Sequence, residues 1–142
     1  MKIGFKLLRA CALSSALLLL VSAANGCALI RAEEHFSVRE YNEFHEVLHE
    51  LQHEAWPKKD YQTIRAKAPE LVSRGEAIIK LGVPDGVKDA ADFEKQLKTF
   101  GDALAKFKQD AASGSDESLA ESYPPVHDSF EMLAEMLPAK KS

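Results

Sequence analysis

The feature that most constrains this chain is an apolar stripe at helical spacing, repeated in four successive segments after Ser37. Within each segment the apolar residues recur three or four positions apart, so they fall on one face of a helix. No segment alternates apolar and polar residues as a half-buried strand would. Each stripe must be buried against the others. The sequence therefore predicts an all-α fold, a single up-down-up-down four-helix bundle over residues 37–138, with 139–142 as a tail.

Local signals predict where the four helices begin and end. Ser, Asp and Glu residues at suitable positions can cap the first amide groups of a helix, and Pro or Gly residues stop it. The first helix is expected to begin at a capping box, Ser37-Val38-Arg39-Glu40, with Phe36 and Tyr41 as a hydrophobic staple. The predicted spans are Ser37 to Trp56, Asp60 to Leu81, Asp89 or Asp92 to Ala112, and Ser115 to Leu137.

Prolines interrupt two of the predicted helices. Proline lacks a backbone N–H and crowds the preceding turn, so it kinks or breaks a helix interior. Pro69 is expected to kink the second helix. The pair Pro124-Pro125 is expected to break or bend the fourth helix, with its last part starting afresh there.

The first 26 residues have the layout of a bacterial export signal. Lys2, Lys6 and Arg9 form a basic start, a short apolar run follows at 10–21, and small residues come next. A retained membrane anchor is the alternative, but a bilayer span takes roughly 20 apolar residues, more than this run offers. Export predicts a protein of the periplasm or cell envelope.

Cys27 follows Ala24-Asn25-Gly26 directly, which resembles the lipobox of bacterial lipoproteins. That resemblance implies that Cys27 is lipidated and that residues 27–36 tether the bundle to a membrane. Ordinary signal cleavage, after Gly26 or Ala28, is the alternative. The other cysteine, Cys11, lies inside the signal, so neither cut leaves an internal disulfide.

The charge balance argues against nucleic acid as a partner. Removing the signal's three basic residues from the chain's 18 Lys and Arg leaves 15 against 22 Asp and Glu, a net charge of −7. Phosphate binding needs a clustered basic surface, which an acidic domain of this kind lacks.

Histidines are the strongest chemical signal. His45, His49 and His53 are spaced four apart on the first predicted helix, and His127 lies on the fourth. Residues four apart share a helix face, so such a pair can hold one metal ion. Counting along an up-down-up-down bundle places His127 level with His49.

The angular positions of the histidines favour a groove between helices. With Leu48 inward, His45 and His127 fall at the boundary of the core, His49 is borderline and His53 is mostly exposed. We expect His127, His49 and His45 to bind a transition metal, because neutral imidazole suits copper, zinc and iron. The carboxylates expected to orient the rings or complete the coordination are Glu46, Glu50, Asp128 and Glu131.

The segment from Tyr123 to Phe130 resembles the haem-attachment segment of the cytochrome c-prime family, whose pattern is Cys-x-x-Cys-His-x-x-Phe. His127 and Phe130 match, whereas Tyr123 and Val126 stand where the cysteines would be. The resemblance implies a four-helix bundle with His127 as axial ligand, and it excludes covalent haem. The soluble b-type cytochromes of the same superfamily, which this pattern also resembles, hold haem non-covalently through a histidine of the last helix and a methionine of the first. The first helix here has no methionine, so a b-type haem would have to take its second ligand from His45 or His49.

Two other functional hypotheses are alternatives to a metal-binding or haem-binding protein. A di-iron carboxylate site needs Glu-x-x-His motifs on two helices, and only the first helix carries them. A cofactor-free envelope interaction or scaffold module fits the acidic charge. The sequence has no nucleophile constellation and no phosphate-binding loop, so we expect no enzyme activity.

Overall fold

The computed structural model describes residues 35–140, which fall within one compact unit, Glu33–Ser142. The predicted export signal, Cys27 and most of the predicted tether lie outside the described residues. The fold is all-α, as predicted, and contains no strand between residues 35 and 140. Its elements are α1 (Arg39–Glu50), a π-helical turn (Leu51–Ala55), a 3-10 turn (Trp56–Lys58), α2 (Tyr61–Leu81), α3 (Ala90–Ser113) and α4 (Asp116–Glu135).

The start of α1 differs from the predicted capping box. Val38 precedes the first helical residue, and its side chain caps no amide. Asn42 organises this corner instead: its Oδ1 accepts from Phe36 N at 2.6 Å, and its Nδ2 donates to the carbonyls of Phe36 and Val38, both at 3.0 Å. These bonds hold the entering chain and leave Ser37 outside the helix. The predicted staple contact is present, with the Phe36 and Tyr41 rings 6.4 Å apart.

The first helical run does not stop before Pro57. It passes from α1 into the π-helical turn and then into the 3-10 turn, where Pro57 occupies an early position that tolerates proline. Lys59 closes the run with a left-handed backbone conformation, φ 53°. The connection to α2 is therefore tight.

Side-chain caps begin the other three helices where the sequence predicted them. Asp60 accepts from Thr63 N at 3.0 Å, Asp89 from Asp92 N at 2.9 Å, and Ser115 from Ser118 N at 3.2 Å. Each cap satisfies an amide that the first helical turn leaves without an intrahelical partner.

Both proline sites lie inside continuous helices. The predicted fresh start at Pro124-Pro125 is wrong, because α4 runs unbroken from Asp116 to Glu135. Tyr123 and Val126, which flank the prolines, are both fully buried. Burial of large apolar side chains offsets the roughly 3 kcal/mol that an interior proline costs a helix. Ser129 also donates to Pro125 O at 2.6 Å.

Aromatic rings from three helices meet in the core. Phe130 of α4 lies 4.7 Å from Phe44 of α1 and 6.5 Å from Phe100 of α3, measured between ring centroids. The sequence places Leu48, Leu71, Phe100 and Phe130 in the four apolar stripes, and all four are buried. The other stripe residues are buried too, except Tyr61, Leu97 and Leu137, which are half-buried. The helical periodicity thus predicted the core correctly.

Arg65 of α2 joins the end of α3 to the start of α4. Its guanidinium donates to the carbonyls of Asp110 at 2.7 Å, Ala111 at 3.0 Å and Gly114 at 2.8 Å, and to Asp116 Oδ1 at 3.0 Å. A cation at this position stabilises the negative end of the α3 dipole and satisfies its last carbonyls.

Two helical glycines provide a matched test of packing. A methyl group at Gly75 would lie 2.6 Å from Leu104 Cδ2 and 3.2 Å from Phe44 Cε2, whereas one at Gly101 would meet Ile79 at an ordinary 3.5 Å. We expect Gly75→Ala to lower the free energy of unfolding by about 1 kcal/mol, because overpacking outweighs the gain in helix propensity. We expect Gly101→Ala to raise it by about 0.5–1 kcal/mol. Urea denaturation of both variants checks this, and stabilisation by Gly75→Ala would contradict it.

Asp110 is expected to make stability depend on acid. Its carboxylate is 6% exposed and accepts from Lys106 Nζ. Lys106 lowers the pKa of Asp110, with a further contribution from Ser122, against the opposing effect of burial. A lowered folded-state pKa means that the stabilisation is present above the unfolded value, about 3.9, and is lost as pH falls through the folded value.

We therefore expect Asp110→Asn to lower the urea midpoint at pH 7 and to flatten its decline below about pH 4. The control is Asp102→Asn, which removes a carboxylate that pairs with Lys98 at the same four-residue spacing but is 71% exposed. Exposed pairs contribute little, so this control should leave the midpoint nearly unchanged. Equal effects of the two variants would show that burial of Asp110 is irrelevant.

Candidate functional site

Three imidazoles form a continuous row along the first helical run. The ring centroids of His45 and His49 are 5.6 Å apart, and those of His49 and His53 are 4.3 Å apart. His45 and His49 are half-buried and His53 is exposed, which matches the placement that the sequence predicted. We call these three side chains the histidine row.

The unequal spacing in the histidine row coincides with the change from α-helix to π-helix. His45 and His49 lie in α1, whereas His53 lies in the π-helical turn Leu51–Ala55, where Trp56 N–H bonds Leu51 O five residues earlier. Four residues of an α-helix advance about 40° past a full turn. A full turn of π-helix contains more residues than a turn of α-helix, so a residue four positions on is less far past a complete turn.

His45 is held between aromatic rings. It stacks on Phe130 of α4 with a centroid distance of 6.1 Å and an interplanar angle of 19°, and the edge of Phe36 meets it at 5.4 Å. Phe130 is three residues beyond His127 on α4. The inner end of the histidine row therefore lies against the stretch of α4 that carries the fourth predicted ligand.

His127 is half-buried, and both of its ring nitrogens lie beside carboxylates of its own helix. Nδ1 is 3.2 Å from Asp128 Oδ1, and Nε2 is 3.3 Å from Glu131 Oε1. Asp128 thus stands where the sequence predicted an orienting carboxylate. A metal bound at Nε2 would enter between the imidazole and Glu131, since an imidazole nitrogen must present a lone pair to its metal.

The other two carboxylates predicted to assist the histidines are Glu46 and Glu50. Glu46 is exposed, and Glu50 pairs with Lys67 of α2 at 3.2 Å. Between residues 35 and 140, no three His, Cys, Asp or Glu side chains are grouped so as to hold a metal ion. The predicted set of His127, His49 and His45 is therefore not preassembled.

Gly75, a small residue of α2 that could either leave room for a haem or let helices approach closely, is tightly packed. Leu104 and Phe44 occupy the surface of Gly75 so closely that a methyl group there would clash. The Phe44 ring in turn packs on Phe100 at 5.4 Å. A planar macrocycle at this position would have to displace packed aromatic rings. The residues present at Gly75 do not fit a haem.

Three buried polar groups were not foreseen from the sequence. The hydroxyls of Tyr41 and Tyr123 and the Oε1 of Gln52 make no hydrogen bond within the described part of the chain. Burial raises the pKa of both phenols above its ordinary value. Tyr123 packs on Trp56 at 4.9 Å, and Tyr41 stacks on Phe130 at 5.8 Å, so both act as core aromatics.

A shallow cleft of about 260 Å³ lies between α3 and α4, lined by Ala103, Lys106, Glu121, Ser122 and Pro125. It contains no histidine. No helix within residues 35–140 is long and apolar enough to cross a membrane.

Comparison with known proteins adds no relationship, since no family model, no curated protein and no solved structure matches this chain. The resemblance of the α4 segment to the cytochrome c-prime pattern stays an expectation from His127 and Phe130.

Proposed function

We propose that this chain is an exported four-helix-bundle protein of the cell envelope that binds a transition-metal ion through histidines of its first and last helices. The observation that carries the proposal is the histidine row, three imidazoles in successive ring contact on one helical run. Imidazole is a good ligand for copper, zinc, nickel and iron, and two imidazoles four residues apart on one helix face can share an ion.

Salt bridges between α1 and α2 support an up-down-up-down arrangement. Glu43 pairs with Arg74, and Glu50 pairs with Lys67, each at 3.2 Å. The later residue of α1 thus pairs with the earlier residue of α2, as expected for antiparallel neighbours.

Ring contacts to the last helix support the same arrangement. Tyr41 meets Phe130, and Trp56 meets Tyr123, again in opposite chain order. An antiparallel first and last helix would bring His127 to the same level as the inner half of the histidine row, as in the proposal.

A bare ion is favoured over haem. Two or three imidazoles at a helix surface need no cavity, whereas a haem needs an apolar slot, and the region around Gly75 is occupied by Leu104 and Phe44. Export and a lipid tether at Cys27 are part of the proposal and are supported by the N-terminal sequence alone. The protein is proposed to carry or buffer the metal and not to act as an enzyme.

The test is purification from the envelope fraction, followed by metal analysis and a visible absorption spectrum. We expect about one equivalent of a transition metal and no Soret band. His49→Ala should reduce the bound metal strongly, because His49 is the central member of the histidine row. His35→Ala serves as the control, since exposed His35 lies before α1, and it should retain the metal.

A Soret band that disappears in His127→Ala would replace the bare ion by haem. Absence of both metal and haem after supplementation with copper, nickel and zinc would refute ligand binding and leave the cofactor-free envelope module. Equal metal content in His49→Ala and the unaltered protein would also refute the proposed ligands.

A further inference from the structure

The histidine row contains two pairs with the same four-residue spacing but different backbone geometry. His45 and His49 are joined by regular α-helix, and their ring centroids are 5.6 Å apart. His49 and His53 span the junction with the π-helical turn, and their centroids are 4.3 Å apart at an interplanar angle of 43°. The structure therefore contains a built-in comparison between an α-helical pair and a π-shifted pair.

The π-helical turn lies where the second pair of rings is closer. In regular α-helix the side chain at i+4 is rotated by about 40° from that at i, which separates the rings sideways as well as along the axis. The wider turn that begins after Glu50 coincides with the shorter distance between the His49 and His53 rings, 4.3 Å. Single π-turns that interrupt an α-helix are found frequently at functional sites, whereas this one closes α1 and leads into the 3-10 turn Trp56–Lys58.

We propose that His49 and His53, aligned by the π-helical turn, form the primary chelating pair for a divalent transition metal of the copper, nickel and zinc class. This inference rests on the proposed function and specifies which histidines bind first. It makes His53 a metal ligand, although its position on the helix predicts only an exposed side chain. His45 and His127 are then secondary ligands.

The surroundings of His49 and His53 suit a bound cation that can move between the protein and the solvent. His53 is exposed and His49 is half-buried, so two protein ligands would leave the outer coordination positions to water or to a partner's groups. Glu50 and Glu54, the acidic residues next to the two histidines, are paired with Lys67 and Lys58, each at 3.2 Å. Coordination by imidazole favours transition metals over magnesium and calcium, which prefer oxygen ligands.

The test compares single-histidine variants in one Zn²⁺ titration. His53→Ala leaves only the α-helical pair, and His45→Ala leaves only the π-shifted pair, so each is the matched control of the other. We expect His53→Ala to weaken Zn²⁺ binding by at least about tenfold and His45→Ala to leave the affinity nearly unchanged. Calorimetry gives the affinities, and long-range ¹H–¹⁵N spectra of the imidazoles identify the ligands at substoichiometric Zn²⁺. The resonances of His49 and His53 should shift together and first.

The outcomes separate the two proposals. Equal losses in His45→Ala and His53→Ala would show that the π-helical turn confers no preference and would overturn this inference. Unchanged binding in His53→Ala with loss in His127→Ala would also overturn it, while leaving a metal-binding protein whose site spans two helices. No Zn²⁺, Ni²⁺ or Cu²⁺ binding by the unaltered protein would refute the proposed function and this inference together. Circular dichroism of each variant confirms that exposed His53 can be replaced without unfolding.

Discussion

Contact of Phe130 with the aromatic rings of α1 and α3 is the interaction on which the rest of this structure depends. One ring of α4 touches Tyr41, Phe44 and His45 of α1 and also Phe100 of α3. The described residues contain no cysteine, so no disulfide contributes there, and apolar burial must hold the helices together. This aromatic contact also determines which face of α1 points inward, and hence where its histidines lie.

The histidine row is a consequence of that packing combined with one local deviation. With Phe44 and Leu48 inward, positions 45 and 49 fall at the edge of the core, where a ring can pack on apolar neighbours and still reach solvent. His53 follows one turn later, in the π-helical turn, and is exposed. The histidine row therefore has an inner end, where His45 stacks on Phe130, and an exposed outer end at His53.

Periodicity and caps predicted the core and the helix starts at Asp60 and Ser115, because burial and capping depend on residues close in sequence. The errors come from competing interactions. Asn42 displaced the capping box at Ser37 by bonding the entering chain, and burial of Tyr123 and Val126 kept α4 continuous through two prolines. The π-helical turn has no comparable sequence signal, since Leu51 and Ala55 fit an α-helical stripe equally well. The close approach of His49 and His53 could therefore not be predicted.

Metal binding by two histidines at the surface, as proposed here, would affect the stability of the fold differently from metal binding at a buried centre. In small zinc domains the metal supplies the folding free energy, so chelation unfolds them. Here buried aromatic rings join α1, α3 and α4 to one another. A ligand adds only RT ln(1 + [L]/Kd) to the stability of such a protein. An ion bound by His49 and His53, as proposed, would therefore be able to leave without unfolding the domain, which is the property that a carrier or buffer of metal requires.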